Sequence, residues 1–242
     1  PVIAIYSTAV TTSTPIMVIN LYSVDFPTTA VNTTSFNTQM TSDGSKILIY
    51  LKRAYNQPET CYVVSIDYVN LTYNVEFDFV NTAEYLNGAI ANNCGSCLGS
   101  SISRDGTRLF VPVYQNIASV LTTYYYFYSY ESGSWVNKAR LSATDVFTAE
   151  EITSYTANAA IGPMGLASMC RFGDNNTIIV HAGAAYLATP LFIYTFSYSN
   201  GSWINSYKSR KTGLISYNNS YGFSVTSNNH YGFTNRMPVT EQ

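Results

Sequence analysis

The stretch SRDGTRLFVPVY, residues 103–114, decides the fold. Its Asp105-Gly106 pair suits a tight hairpin turn, whose central residues need positive φ, and the run behind it is rich in β-branched and aromatic residues, as a strand requires. A long aromatic segment follows at 124–141, YYYFYSYESGSWVNKARL, broken by a second turn at Gly133-Ser134-Trp135. The same order recurs downstream as RFGDNNTIIVHAGA (171–184) and LFIYTFSYSNGSWINSYKS (191–209), and upstream as TSDGSKILIYLKR (41–53) and CYVVSIDYVNLTYNVEF (61–77). Two landmarks keep step: Asp43 and Asp105 lie 62 residues apart, as do Tyr73 and Trp135, while the later spacings are 69 for Asp105 to Asp174 and 68 for Trp135 to Trp203. Independent landmarks that agree to within one residue are repeats of one unit and not similar turns.

Each copy reads as four antiparallel strands. The expected architecture is all-β: a small β-propeller of four, or five, four-stranded blades within one domain, 1–242. Blade units fall at about 39–97, 98–165 and 166–220. Residues 1–38 and 221–242 form the closing blade, because VIAIYSTAV and IMVINLYSVDF resemble second and third strands, and YGFSVTSNN a first strand. Closure of that kind removes the exposed edges of four-stranded sheets. HYGFTNRMPVTEQ would then be a superfluous second strand, and a larger ring is the competing expectation. The segment 143–162 is the least regular, with room for one helical turn or a long loop.

The pattern S-x-D-G-x-x-L-x-V, an aromatic strand and G-x-W, running over about residues 39–210, resembles the blade repeats of FG-GAP-type and related D-G-turn propellers. The resemblance implies the architecture and leaves the function open, since such repeats serve adhesion, scaffolding and polysaccharide enzymes alike. It brings no calcium loop with it: Asp43, Asp105 and Asp174 stand almost alone and read as turn formers.

Composition narrows the partners. Charged residues make up 11% of the chain and 22 of its residues are tyrosine, so hydroxyls and amides carry much of the wetted surface. A net charge of -2 without a basic run argues against nucleic acid, which needs several cations to displace counterions. No 18-residue apolar run is present, so membrane insertion is not expected. The abrupt strand-like start reads as a domain of a larger protein. The texture resembles virion-surface and cell-surface proteins, including those of large algal viruses, and an extracellular or virion-surface location is the expectation. Five N-x-S/T sequons begin at Asn32, Asn70, Asn175, Asn200 and Asn218 and are candidate glycan acceptors.

The candidate chemistry is sparse. Cys94-Gly-Ser-Cys97 has redox spacing but precedes a strand and lacks an activating helix; with Cys61 and Cys170 it reads as structural disulfides or buried thiols. His181 stands where Tyr50 and Pro112 stand in the other copies, beside small residues that leave space; a strand histidine bonded to a neighbouring carbonyl is the plainer reading. A polysaccharide lyase needs a base and a cation to neutralise the uronate carboxylate. His181 or Tyr114 is the candidate base, Lys52 or Arg53 the cation, and Tyr55 and Gln115 the neighbouring binding residues. A glycosidase needs two carboxylates; Glu76 with Asp78, and Glu150 with Glu151, are undistinguished pairs. No metal or other cofactor is expected. The leading reading is a module that recognises extracellular glycan or cell-wall polysaccharide; a polysaccharide-degrading enzyme, lyase before hydrolase, and a protein-protein adhesion scaffold are the alternatives.

Overall fold

The structure is a computed structural model that describes residues 2–6, 14–21, 23, 25–26, 33–53, 60–83, 99–117, 120–156, 169–182, 191–211 and 222–234. Three complete sheets follow one another along the chain. The first joins β3 (Thr33–Met40), β4 (Lys46–Arg53), β5 (Thr60–Asp67) and β6 (Thr72–Asp78); the second joins β7 (Ser101–Ile102), β8 (Arg108–Ile117), β9 (Val120–Glu131) and β10 (Ser134–Ser142). The third joins β11 (Met169–Phe172), β12 (Thr177–Ala182), β13 (Leu191–Ser199) and β14 (Ser202–Lys211). Each is an antiparallel meander whose strands lie in chain order. Two hairpins flank them: β1 (Val2–Ile5) with β2 (Met17–Asn20), and β15 (Gly222–Val225) with β16 (Tyr231–Thr234).

The first strands β3, β7, β11 and β15 touch in sequence, and the complete sheets stack face to face. This is the order of β-propeller blades. The core is correspondingly divided. Leu48, Tyr50, Cys61, Val63 and Phe77 of the first sheet pack on Leu109, Val111, Tyr126 and Tyr128 of the second. Phe110, Tyr125 and Phe127 on the other face of the second sheet pack on Cys170, Val180, Tyr194, Phe196 and Trp203 of the third. The tyrosine-rich run thus alternates between two cores, as the period of a strand dictates. In the segment after β10, Ser142 Oγ and N both donate to Asp145, and α1 (Ala149–Thr156) follows, longer than the single turn expected; Lys208 Nζ donates to its Glu151 at 2.5 Å.

The D-G turns have the expected chemistry. Asp43 Oδ1 accepts from Thr41 Oγ1 at 2.7 Å and from Ser45 N at 3.0 Å, and Asp105 Oδ1 accepts from Ser103 Oγ at 2.6 Å and from Thr107 N at 3.0 Å. Gly44 and Gly106 take φ of 74° and 70°. The Ser45 amide, with the hydroxyls around it, holds the Asp43 carboxyl at about 2, because each bond favours the charged form.

The turns are also tied to one another. Ser42 N donates to Arg104 O at 2.8 Å, Arg104 Nε to Gly173 O at 3.0 Å and its Nη2 to Val225 O at 3.2 Å. Asp174 N donates to Asn229 Oδ1 at 2.9 Å, and Asn229 Nδ2 returns a bond to Asp174 at 2.7 Å. The segment Thr226–His230 is therefore a fourth copy of the turn, closed by Thr226 N on His230 O, and β16 is a second strand in its own right. The reading of YGFSVTSNN as a first strand holds, and the second strand allowed for in HYGFTNRMPVTEQ is the one formed.

At the other terminus Asp25 and Phe26 repeat Glu76 and Phe77. Asp25 accepts from Tyr73 Oη at 2.8 Å as Glu76 accepts from Tyr130 Oη at 3.4 Å. Phe26 meets Tyr62 and Tyr73 as Phe77 meets Tyr128 and Trp135. Ile5, Met17, Ile19 and Leu21 bury one face of the first hairpin on Ile47, Ile49, Tyr62 and Val64.

Candidate functional site

Within the complete sheets, the two ends of the strands differ. Every connection at the D-G end has five residues or fewer, and the turns there are hydrogen-bonded into a chain. The connections that leave the opposite ends are 54–59, 79–100, 143–168, 183–190 and 212–221, together with the two-residue link 118–119. A scaffold with one closed end and one loop-bearing end presents its variable surface at the latter.

The candidate residues of the second strands belong to that loop-bearing end. Lys46, Arg108 and Thr177 occupy one register position, opposite Ser65, Ser129 and Ser197. Counting from there, Lys52 and Tyr114 fall at equivalent places in successive sheets, Arg53 and Gln115 at the next, and His181 at the place of Tyr50 and Pro112, two residues nearer the turns. His181 pairs across the backbone with Met169 and Ile193, and at the equivalent place Tyr50 is buried in the core between the first two sheets. Tyr55 lies outside the described residues.

The carboxylate pairs separate. Glu76 is bound by Lys46 and Tyr130, whereas Asp78 accepts from Thr60 Oγ1 at 3.1 Å and from Asn81 Nδ2 at 2.8 Å. Glu151 is engaged by Lys208 and by Thr148 N at 2.8 Å. Among the described residues no cluster of His, Cys, Asp or Glu could hold a metal ion.

Of the two expectations for the cysteines, disulfides or buried thiols, the second holds where it can be followed. Cys61 and Cys170 are buried free thiols in different cores, the first between sheets one and two and the second between sheets two and three. Burial pushes the Cys170 thiol up, which removes it from thiolate chemistry. Cys94 and Cys97 lie outside the described residues, as do the sequon asparagines Asn32 and Asn218.

Two features escaped the sequence. The first is a basic side chain just after each of the first two D-G turns, laid on the aromatics of the following sheet. Lys46 Nζ sits 3.3 Å from the Tyr130 ring centroid and 2.7 Å from Glu76, and the Arg108 guanidinium sits 4.2 Å from the Tyr198 ring centroid and bonds Asn175 O and Asn176. The recurrence of Lys or Arg at that position was the available signal; its partners lie one unit away.

The second is Arg171. By register it shares a position on the first strands with Gln39 and Ser101. Gln39 reaches the second sheet through Ser101 Oγ and the backbone of Ile102, and Ser101 Oγ accepts from Phe172 N of the third at 3.2 Å. Arg171, next in that series, is partly buried and donates to the carbonyl of Cys170 at 2.9 Å; among the described residues no carboxylate pairs with it. Desolvation lowers its pKa. A guanidinium withdrawn from water, with no carboxylate beside it among the described residues, is a place where an anion gains more than at the surface.

Comparison with protein-family models and with curated proteins finds no match. Among solved structures the chain is similar to TolB from Acinetobacter baumannii, at 13% identity with a TM-score of 0.42, over 85% of this chain and 39% of that one. It is similar to the β-propeller domain of the Trilobed protease from Pyrococcus furiosus, at 8% identity with a TM-score of 0.39, over 80% of this chain and 47% of that one. A structure of prolyl endopeptidases aligns at 11% identity with a TM-score of 0.37, over 73% and 22%. The chain thus spans less than half the length of each of these neighbours.

Proposed function

We propose that this chain is a glycan-recognition module, displayed on a cell or virion surface, that takes extracellular or cell-wall polysaccharide at the loop-bearing end of its sheets. The observation that carries the reading is the asymmetry of the two ends: short turns tied together on one, and on the other long connections everywhere except the two-residue link 118–119. Hydroxyl, amide and tyrosine side chains suit sugars, whose C-H faces stack on rings while their hydroxyls bond to polar groups. Lys52 and Arg53, at that end of the first sheet, favour an acidic glycan, since they are the cations that would neutralise a uronate carboxylate.

The test is retention of the purified chain on immobilised neutral and uronate-containing polysaccharides, with reducing ends and absorbance near ~235 nm followed in parallel for cleavage at the acid-base and charge-neutralising groups a lyase uses. Retention on the acidic polymers that falls at least about tenfold in the double variant Lys52→Gln, Arg53→Gln, worth about 1.4 kcal/mol, is the expected result. Rising absorbance that His181→Ala abolishes would make the chain a lyase. Neither retention nor release across the panel would overturn the reading in favour of a protein-protein scaffold.

We also infer that the chain carries parts of five units and does not close as four. β16 supports a second strand of a C-terminal unit. The contacts of Asp25 and Phe26, which repeat those of Glu76 and Phe77, support reading β1 and β2 as the second and third strands of an N-terminal one, with Asp25 and Phe26 at the place of a fourth; on that reading a four-blade ring would hold one strand too many. Val18, on the face of the first hairpin turned away from the core, is 49% exposed. Val18→Lys is accordingly expected to change stability by no more than about 0.5 kcal/mol. A loss of about 2 kcal/mol or more in urea titration, the scale of a core defect, would favour closure over that face.

A further inference from the structure

We propose that Asn70 and Asn200 are N-glycan acceptors, and that the Asn70 glycan packs its first sugar on Tyr68. The structure sorts the sequons that it describes. Asn70 lies in the turn 68–71 that joins β5 to β6, and Asn200 is the first residue of the two-residue turn joining β13 to β14, with φ of 50°. Both are exposed, and both tips project at the D-G end, opposite the proposed recognition surface. Asn175 is different. Its side-chain carbonyl accepts from Asp105 N at 3.3 Å and its backbone carbonyl from Arg108 at 2.6 Å, so it is half-buried and its carboxamide is held on the turn of the neighbouring sheet, unlike the two exposed acceptors.

The surroundings of Asn70 supply an independent reason. Val69 is 91% exposed, and Leu71, Met40 and Tyr68 are exposed beside it, an apolar tip that otherwise meets water. Tyr68 stands two residues before the acceptor, and its hydroxyl donates to Gly44 O at 3.0 Å, which holds the ring against the D-G turn while the side chain stays exposed. A pyranose C-H face stacks on such a ring, whose π face is negative. Asp67 organises the turn by accepting from Val69 N, Asn70 N and Asn70 Nδ2. The last of these survives attachment, because a substituted amide keeps one hydrogen. In the transfer the Asn Nδ2 forms a bond to C1 of a lipid-diphosphate-linked oligosaccharide. The C1-O bond breaks, the amide nitrogen gives up a proton and the lipid diphosphate departs, under an oligosaccharyltransferase.

The experiment secretes the full chain from a eukaryotic host behind a cleavable leader and compares intact mass before and after a peptide glycoamidase, which cleaves the bond between Asn and the first sugar. Asn70→Gln and Asn200→Gln are each expected to remove one glycan, Thr72→Ala to reproduce the first loss with Asn70 intact, and Asn175→Gln to remove none. Glycan-free protein at Asn70 and Asn200, or an occupied Asn175, would overturn the assignment. Stacking is read separately. Deglycosylation of the parent is expected to lower the melting temperature by about 2–4 °C, and the same treatment of Tyr68→Ala to leave it unchanged; an equal drop in both would remove Tyr68 from the proposal.

Discussion

Phe127→Ala should cost about 3–5 kcal/mol of stability, the range for truncating a fully buried aromatic. Phe127 is 0% exposed and stands between two sheets that chain order separates. Its ring lies 4.8 Å from that of Trp203, stacked at 20°, and 5.2 Å from those of Phe110 and Phe196. Alanine would leave a cavity whose walls are the stiff faces of two sheets, with little room to collapse. A urea titration followed by tyrosine fluorescence should show an earlier midpoint at unchanged slope, because the surface exposed on unfolding stays nearly the same. Val136→Ala, on the outer edge strand, is the matched control and should fall within about 0.5 kcal/mol. Equal effects at the two positions would mean that the sheets do not share this core.

Lys46→Met is the second large expectation, at about 3–5 kcal/mol. The Lys46 and Glu76 side chains are 12% and 11% exposed, so the pair is nearly withdrawn from water and differs from a surface bridge of small value. Removing the ammonium leaves the Glu76 carboxylate facing the Tyr130 hydroxyl alone. Adding Glu76→Leu should then recover most of the loss, since an apolar pair of similar volume costs no charge burial. A double mutant as unstable as the sum of its parts, with Glu76→Leu alone harmless, would show that Lys46 acts through its stem and the Tyr130 and Trp135 rings and not through the ion pair.

Much of this molecule is local enough to read directly. The D-G turns, the strands on either side and the two alternating faces of the tyrosine run depend on neighbours within a few residues. Repeat spacing placed His181 with Tyr50 and Pro112, and the strand register agrees. The second-strand candidates Lys52, Arg53, Tyr114 and Gln115 share one end of their sheets by the same reasoning. What sequence could not supply was the partner across a sheet boundary. Lys46 touches Tyr130 and Arg108 touches Tyr198, contacts that cross from one unit to the next. Arg171 looked like any strand residue until burial set it apart.

By itself the sequence determined that the chain repeats a four-stranded antiparallel unit, because turn chemistry and a period of two residues are properties of short segments. Only the tertiary structure decided how those units meet. The D-G turns of different units bind one another through Arg104 and Asn229, and the second unit divides its aromatic strand between two cores. The C-terminal hairpin forms a second strand through pairing that the sequence left ambiguous. Each of those outcomes depends on which surfaces lie side by side after folding, and packing between distant segments leaves no period for a sequence to display.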